Sequence, residues 1–196
     1  MKIKLTTLEH MLGTQSANPE IHEEFISAKA NDGEKIKEEL AALPGQELVE
    51  KSTTVFARMP DGSPQLWDYQ IKGFFKDACG MLTRVKTTKS STIKAYKKII
   101  DGLIFVSPRR IKINLQEGEK IGHCQRPLRG QTAQGERIAL ANSESVPAGS
   151  WVEIEVDCLD PKHEMLVEEW LNYGRMRGLG QWRNSGAGRF SWEIVK

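Results

Sequence analysis

Lys2 to Thr6 alternates charged and apolar residues, the period of a half-buried strand, and runs toward a turn at Gly13. Asn18-Pro19-Glu20 offers an N-cap followed by proline at the first helical position, which predicts a helix to about Lys29. Asp32-Gly33-Glu34 begins a second helix that Pro44-Gly45 stops, and Pro60-Asp61-Gly62-Ser63 is a turn sequence between two short β-like runs, 54–58 and 65–68. Tyr69 to Arg84 and Ser91 to Asp101 have helical spacing, the second with lysines on its outer face. Leu103–Val106, Arg110–Leu115, Arg137–Leu140 and Ser150–Asp157 are β-like, Pro161 opens a helix to about Tyr173 with Leu166, Val167, Trp170 and Leu171 on its apolar face, and Phe190–Val195 is a last strand. Strands and helices in this mixed order predict an α+β fold, with helices on one face of an antiparallel sheet.

Composition narrows the picture. With 196 residues, 39% hydrophobic and 28% charged, the chain is expected to form one domain with long loops, which excludes disordered and collagen-like classes. The longest apolar stretch, Ile99 to Val106, is broken by Asp101, and the first residues lack the hydrophobic run of a signal peptide, so no membrane contact and a cytoplasmic location are expected. Cys79, Cys124 and Cys158 contain no CxxC, and His10, His22, His123 and His163 are equally scattered. Neither a disulfide framework nor a metal site follows from them, and no cofactor is expected.

The net charge of +2 hides a strong segregation. Residues 1–68 hold 7 Lys/Arg against 12 Asp/Glu, 69–137 hold 15 against 5, and 138–196 hold 6 against 9. No acid occurs between Ala78 and Ile100, where Arg84, Lys86, Lys89, Lys94, Lys97 and Lys98 accumulate; Arg109, Arg110, Lys112, Arg126 and Arg129 follow. Such a stretch is either a phosphate-binding surface or a solvated face whose cations pair with acids from the flanking thirds.

Between the last predicted helix and strand lies Gly178-Leu179-Gly180-Gln181-Trp182-Arg183-Asn184-Ser185-Gly186-Ala187-Gly188-Arg189. Paired glycines let backbone N–H groups approach an oxyanion, arginines add charge-assisted hydrogen bonds, and Trp182 offers a ring for a base. The plainer reading is a glycine-rich turn with Trp182 in the core. No strand immediately precedes the loop and no Lys-Ser/Thr ends it, so it is neither a Rossmann fingerprint nor a P-loop.

A helix, Gly-x-Gly, five residues, Gly-x-Gly, a basic residue and a strand together resemble the C-terminal signature of the RAMP superfamily, the ferredoxin-like RNA-binding proteins of CRISPR effector complexes. Three further stretches resemble the same superfamily in the same order: Lys4 to Gly13, Tyr69-Gln70-Ile71-Lys72-Gly73-Phe74-Phe75-Lys76, and Glu144-Ser145-Val146-Pro147-Ala148-Gly149-Ser150 with the strand after it. Where that superfamily has Pro-Gly-Ser-Ser before the Lys-Gly helix, this chain has Trp67-Asp68-Tyr69-Gln70. The whole chain is also similar to small proteins of Gram-positive prophages, which implies a stand-alone viral protein in the cytoplasm of a bacterial host cell.

The resemblance implies one ferredoxin-like, RRM-like domain over 1–196 with insertions at about 14–50 and 84–135. It further implies that Lys72, Gly73 and Lys76 contact phosphates from one side of a nucleic-acid strand. Gly178, Gly180, Gly186 and Gly188 would admit the backbone from the other, with Arg183 and Arg189 supplying charge, and copies of the chain could line up along the strand. By residue type, Arg126, Arg129 and the lysines of Ser91–Asp101 extend that track, and Trp182 or Trp67 would stack on bases. The expected activity is non-catalytic binding of single-stranded RNA or DNA. Alternatives are a phage sponge for a cyclic oligonucleotide immune signal, a mimic docking on host CRISPR subunits, and a metal-independent endoribonuclease using His10 or His22, with Asp32, in the loop-rich segment after Gly13, as the candidate for the target-RNA cleavage that the resemblance associates with a loop aspartate.

Overall fold

The alternation at the N-terminus sets the first strand, β1 (Lys2–Thr7), which turns Ile3, Leu5 and Thr7 inward and Lys2, Lys4 and Thr6 outward. The computed structural model describes residues 1–27, 33–43, 54–132 and 135–195. After β1 come β2 (Met11–Leu12), β3 (Gln15–Ser16), α1 (Pro19–Ser27) and α2 (Gly33–Ala41). Asn18 Oδ1 caps α1 by accepting the Glu20 N–H at 2.9 Å. Then follow β4 (Thr54–Val55), β5 (Ala57–Arg58), β6 (Pro64–Trp67) and α3 (Asp68–Leu82), where Gln70 Oε1 accepts the Trp67 N–H at 2.8 Å and so fixes the start of α3. The chain continues through α4 (Tyr96–Leu103), β7 (Ile104–Ser107), β8 (Arg110–Lys112), β9 (Gly122–Thr132), β10 (Gly135–Val146), β11 (Trp151–Cys158), α5 (Glu164–Arg177) and β12 (Phe190–Ile194).

β1, β7, β11 and β12 form one antiparallel sheet in the order β12-β1-β11-β7. Counted along the chain, those strands are first, second, third and fourth, so the sheet order is 4-1-3-2 with α3 and α5 as the two crossovers. That is the ferredoxin-like βαββαβ arrangement within an α+β fold. Both crossover helices bury their apolar stripes against the same sheet face: Phe74 meets Phe190 edge-on at 5.2 Å, Phe75 lies 5.5 Å from Trp170, and Trp192 Nε1 donates to Asn172 at 3.0 Å. A second sheet, β2-β10-β4-β3 with β9 on β10, and a third, β5-β6-β8, are built from the segments between the core elements. No helix among the described residues is long and apolar enough to cross a membrane.

Three sequence expectations change. The helix placed at Ser91–Asp101 begins at Tyr96, because Ala95 sits at φ 53 and the hydroxyls of Thr88, Ser91 and Thr92 bond nearby carbonyls, holding 89–92 as a 3-10 turn instead. The short run Arg137–Leu140 is part of the much longer β10, paired with β9 from Gly135↔Thr132 to Ser145↔Gly122. Trp67, offered as a stacking platform, is fully buried between Tyr69 and the guanidinium groups of Arg109 and Arg110, where its ring is closed to a base.

Candidate nucleic-acid interface

The sheet face turned away from the helices is unsuited to phosphates. It carries Glu153, Glu155, Asp157 and Glu193 against Lys2 and Lys4, and Lys4 is engaged with Glu193 at 3.7 Å and with the Trp151 ring at 4.9 Å. The better candidate lies at the edge of the helical layer, a cleft of about 590 Å³. Tyr69, Gln70, Gly73 and Phe74 of α3 form one wall, Leu179, Gly180 and Arg183 of the glycine loop a second, and Thr14, Gln15, Ser16, His22, Thr54 and Leu66 the remainder. The loop and the Lys-Gly helix, 100 residues apart in the chain, thus share one depression.

The glycines of the loop are required by the protein itself. Gly178 ends α5 at φ 77, with its N–H on Gly174 O at 3.0 Å. A Cβ on Gly178 would lie 2.5 Å from Gly188 C, one on Gly188 would lie 1.8 Å from Leu179 O, and one on Gly180 would lie 2.6 Å from Leu12 O. Gly188 N–H donates to His10 O, and Leu179 N–H to Gly188 O, both at 2.8 Å. These contacts fold the loop on itself and onto the β1–β2 turn. Gly186 has φ 90 and keeps room for the Arg189 guanidinium, 3.2 Å from the place of an added Cβ. Gly73 differs: a Cβ there would meet nothing within 4 Å, so its side of α3 is bare at the cleft.

Trp182 is 41% exposed and therefore not a core residue. Its backbone takes φ 57, a strained conformation for a tryptophan, and its ring lies 5.2 Å from the Arg126 guanidinium. Arg126 is only 7% exposed; it donates to Ser143 Oγ and to Gln181 Oε1, both at 3.1 Å, and Ser143 in turn bonds Thr54 of the cleft wall at 2.6 Å. Arg126 thus backs Trp182 and ties it to the cleft. Of Arg129 only the backbone, in β9, is described, and Asp32 lies outside the described residues.

Other cations are already engaged. Lys76 pairs with Asp101 at 2.5 Å, while Lys72 donates to Asp101 O at 3.3 Å and lies over the Phe105 ring. Arg183 shares Asp77 with Arg177, at 2.8 and 2.9 Å. Arg109 and Arg110 pair with Glu38, and Lys112 with Asp61. Arg189 makes no ion pair among the described residues.

The cleft floor is polar, and Glu39 behind it pairs with Arg109 at 3.0 Å. His22, 2% exposed, lies 3.3 Å from Gln15 Nε2 and 4.0 Å from Glu39 Oε2, and burial pulls its pKa below the usual histidine value. Burial raises the Glu39 carboxyl, and burial followed by the nearby Glu39 raises the Tyr69 phenol that donates to it at 3.1 Å. Gln15 Oε1 has no partner. His10 sits instead behind the glycine loop, with its Nε2 buried and unpartnered. Thr14, Gln15, Tyr69, Gln70 and Gln181 were not singled out from the sequence. The polar tripeptide after Gly13 was the available signal for the first two, and Gln70 stood in the motif that departs from the RAMP pattern.

The full chain matches 58% of one chain in the cryo-EM structure of the Type III-B Cmr-beta bound to cognate target RNA, with a TM-score of 0.53 and 10% identity. The likeness is one of fold. It agrees with the ferredoxin-like α+β fold expected from the sequence, and this chain spans little more than half the length of that neighbour. A chain of a Type IV-B CRISPR complex matches over 99% of this chain and 89% of its own, at a TM-score of 0.46 and 10% identity. No family model and no curated protein matches the sequence.

Proposed function

We propose that this chain binds single-stranded nucleic acid, RNA or DNA, through its phosphate backbone without cleaving it, in the cleft between α3 and the glycine loop. The observation that carries the reading is Gly73. A glycine inside a helix costs about 1 kcal/mol relative to alanine, and here no neighbour requires it, since space is open where its side chain would be. The bare backbone faces the cleft, so the position is suited to a ligand that passes close to the helix. Trp182, exposed on one side and backed by Arg126, supplies a ring on which a base stacks, a contact worth about 1–3 kcal/mol. Phosphates compete for Arg183 and Lys76, whose present acids are partly exposed pairs of modest strength.

Gly73→Leu tests this directly. Leucine fills open space and removes a helical glycine, so the melting temperature is expected to hold or rise by about 2 °C. Affinity for a labelled single-stranded oligonucleotide, measured by fluorescence anisotropy, is expected to fall at least roughly tenfold, about 1.4 kcal/mol. Unchanged affinity in the folded variant would remove the cleft from the account.

Asp101→Asn gives a prediction of opposite sign. It releases Lys76 from its carboxylate, so affinity is expected to rise about two- to fivefold, consistent with the ~0.5–1 kcal/mol scale of exposed charge pairs. The gain should shrink as salt is raised.

A further inference from the structure

We infer that the segment from Arg84 to Lys98 is a second phosphate-contacting surface, separate from the cleft, along which the same bound strand continues; this rests on the binding function proposed above. Arg84, Lys86, Lys89, Lys94, Lys97 and Lys98 are all exposed, and none makes an ion pair among the described residues. Arg109, Arg110, Lys112 and Lys76 of the same basic middle are, by contrast, each held by an acid. The acids that could have neutralised the segment are turned elsewhere. Glu169 of α5 is adjacent, yet its carboxylate accepts the Lys89 and Ser90 N–H groups at 2.7 and 3.0 Å and the Ser90 hydroxyl at 2.5 Å. Asp101 is spent on Lys76.

The segment is also pinned, which a merely solubilising lysine tract does not need. Ser90 is buried and accepts from Trp170 Nε1 at 2.9 Å, anchoring the turn to the core through the same Glu169. Thr88 Oγ1 donates back to Leu82 O at 2.7 Å and Ser91 Oγ to Thr88 O at 2.6 Å. Holding the backbone around Lys89 lowers the entropy lost when this part of the segment meets a polyanion.

The array has a direction. It begins at the C-terminal end of α3, about 14 Å along the helix from Gly73 at 1.5 Å per residue. α4 then runs back beside α3, with Tyr96 against Gly80 at one end and Asp101 on Lys76 and Lys72 at the other. Lys97 and Lys98, next to Tyr96 at the start of α4, therefore lie at the same end of α3 as the rest of the segment. A strand seated at Gly73 and Trp182 meets this row as it leaves the cleft.

The experiment compares a single strand of about six nucleotides with one of about twenty-four, spanning the usual site sizes, at low and moderate salt. The proteins are wild type, Lys86→Gln/Lys89→Gln/Lys94→Gln, and Trp182→Ala. The lysines are exposed and unpaired, so the triple variant should keep the wild-type melting temperature. It is expected to bind the short strand as wild type does, to lose at least about tenfold on the long strand, and to show a salt slope lower by about 2, since single strands give about 0.7 per phosphate contact. Trp182→Ala should weaken both lengths. A triple variant with wild-type slope and wild-type affinity for the long strand would overturn the second surface while leaving the cleft standing. Wild-type protein that binds neither strand would overturn both.

Discussion

Gly188→Ala is expected to lower the melting temperature by roughly 10 °C, the largest effect of any single methyl group in the glycine loop. Gly188 has φ +73, where a Cβ costs about 1–2 kcal/mol. The added carbon would also lie 1.8 Å from Leu179 O, a backbone atom that cannot move aside alone. Relieving the clash separates Gly188 from Leu179 and strains two hydrogen bonds, Leu179 N–H to Gly188 O and Gly188 N–H to His10 O, each worth about 1 kcal/mol. The sum is about 4 kcal/mol, and for a chain of this size each kcal/mol moves the midpoint by about 2–4 °C. Gly62→Ala is the control, since Gly62 has φ +81 with nothing within 4 Å. It should lose only the backbone cost, about 2–8 °C. Equal losses in the two variants, read by thermal circular dichroism, would mean that close approach of the loop strands is not what Gly188 provides.

Glu144→Ala is expected to destabilise the protein by about 3–5 kcal/mol, the scale for removing one partner of a buried ion pair. Glu144 is 0% exposed; its Oε2 accepts the Phe56 N–H at 2.8 Å, its Oε1 meets Arg58 Nη2, and its backbone O accepts the Gly13 N–H at 2.9 Å. One carboxylate thereby ties β10 to the 56–58 segment beside the turn that leads into the cleft. Alanine leaves the buried Phe56 N–H without its acceptor and the partly buried Arg58 guanidinium with only Phe56 O, at 3.0 Å. Replacing both partners, Glu144→Leu with Arg58→Met, should recover part of the loss, because the uncompensated charge is gone. A denaturant midpoint for Glu144→Ala close to wild type would show that water or another acceptor takes the place of the carboxylate.

What the sequence made legible follows from which forces are local. Strict alternation in Lys2–Thr6 and Ser150–Asp157 marked the two central strands, since one face of each is buried by helices. The stripe Leu166, Val167, Trp170 and Leu171 marked the buried face of α5, and all four are buried. The β9–β10 pair was largely missed because Gly122–Val146 mixes polar residues on both faces, leaving no period-2 pattern to read. The late start of α4 depends on Ala95 at φ 53, a backbone state that the residue type does not announce.

The site shows the same division. The motif placed Gly73 and the glycine loop together, and both line the cleft. Charge counting gave the right total for the basic middle but could not say which cations are free. Asp101 reaches Lys76 across 25 residues and Asp77 reaches Arg183 across 106, pairings that only the fold creates. The plain stretch Arg84–Lys98 consequently carries cations free of acids, while of the two motif lysines Lys76 is held by Asp101 and Lys72 lies on a backbone carbonyl and the Phe105 ring.

Photo-crosslinking of a bound single strand, followed by mass spectrometry of the attached peptides, tests the location of binding most directly. The account predicts crosslinks concentrated in the peptides carrying Trp182 and the start of α3 around Gly73, with further sites in Arg84–Lys98 on longer strands. Crosslinks confined to the acidic open face of the sheet, on β11 and β12, would contradict it.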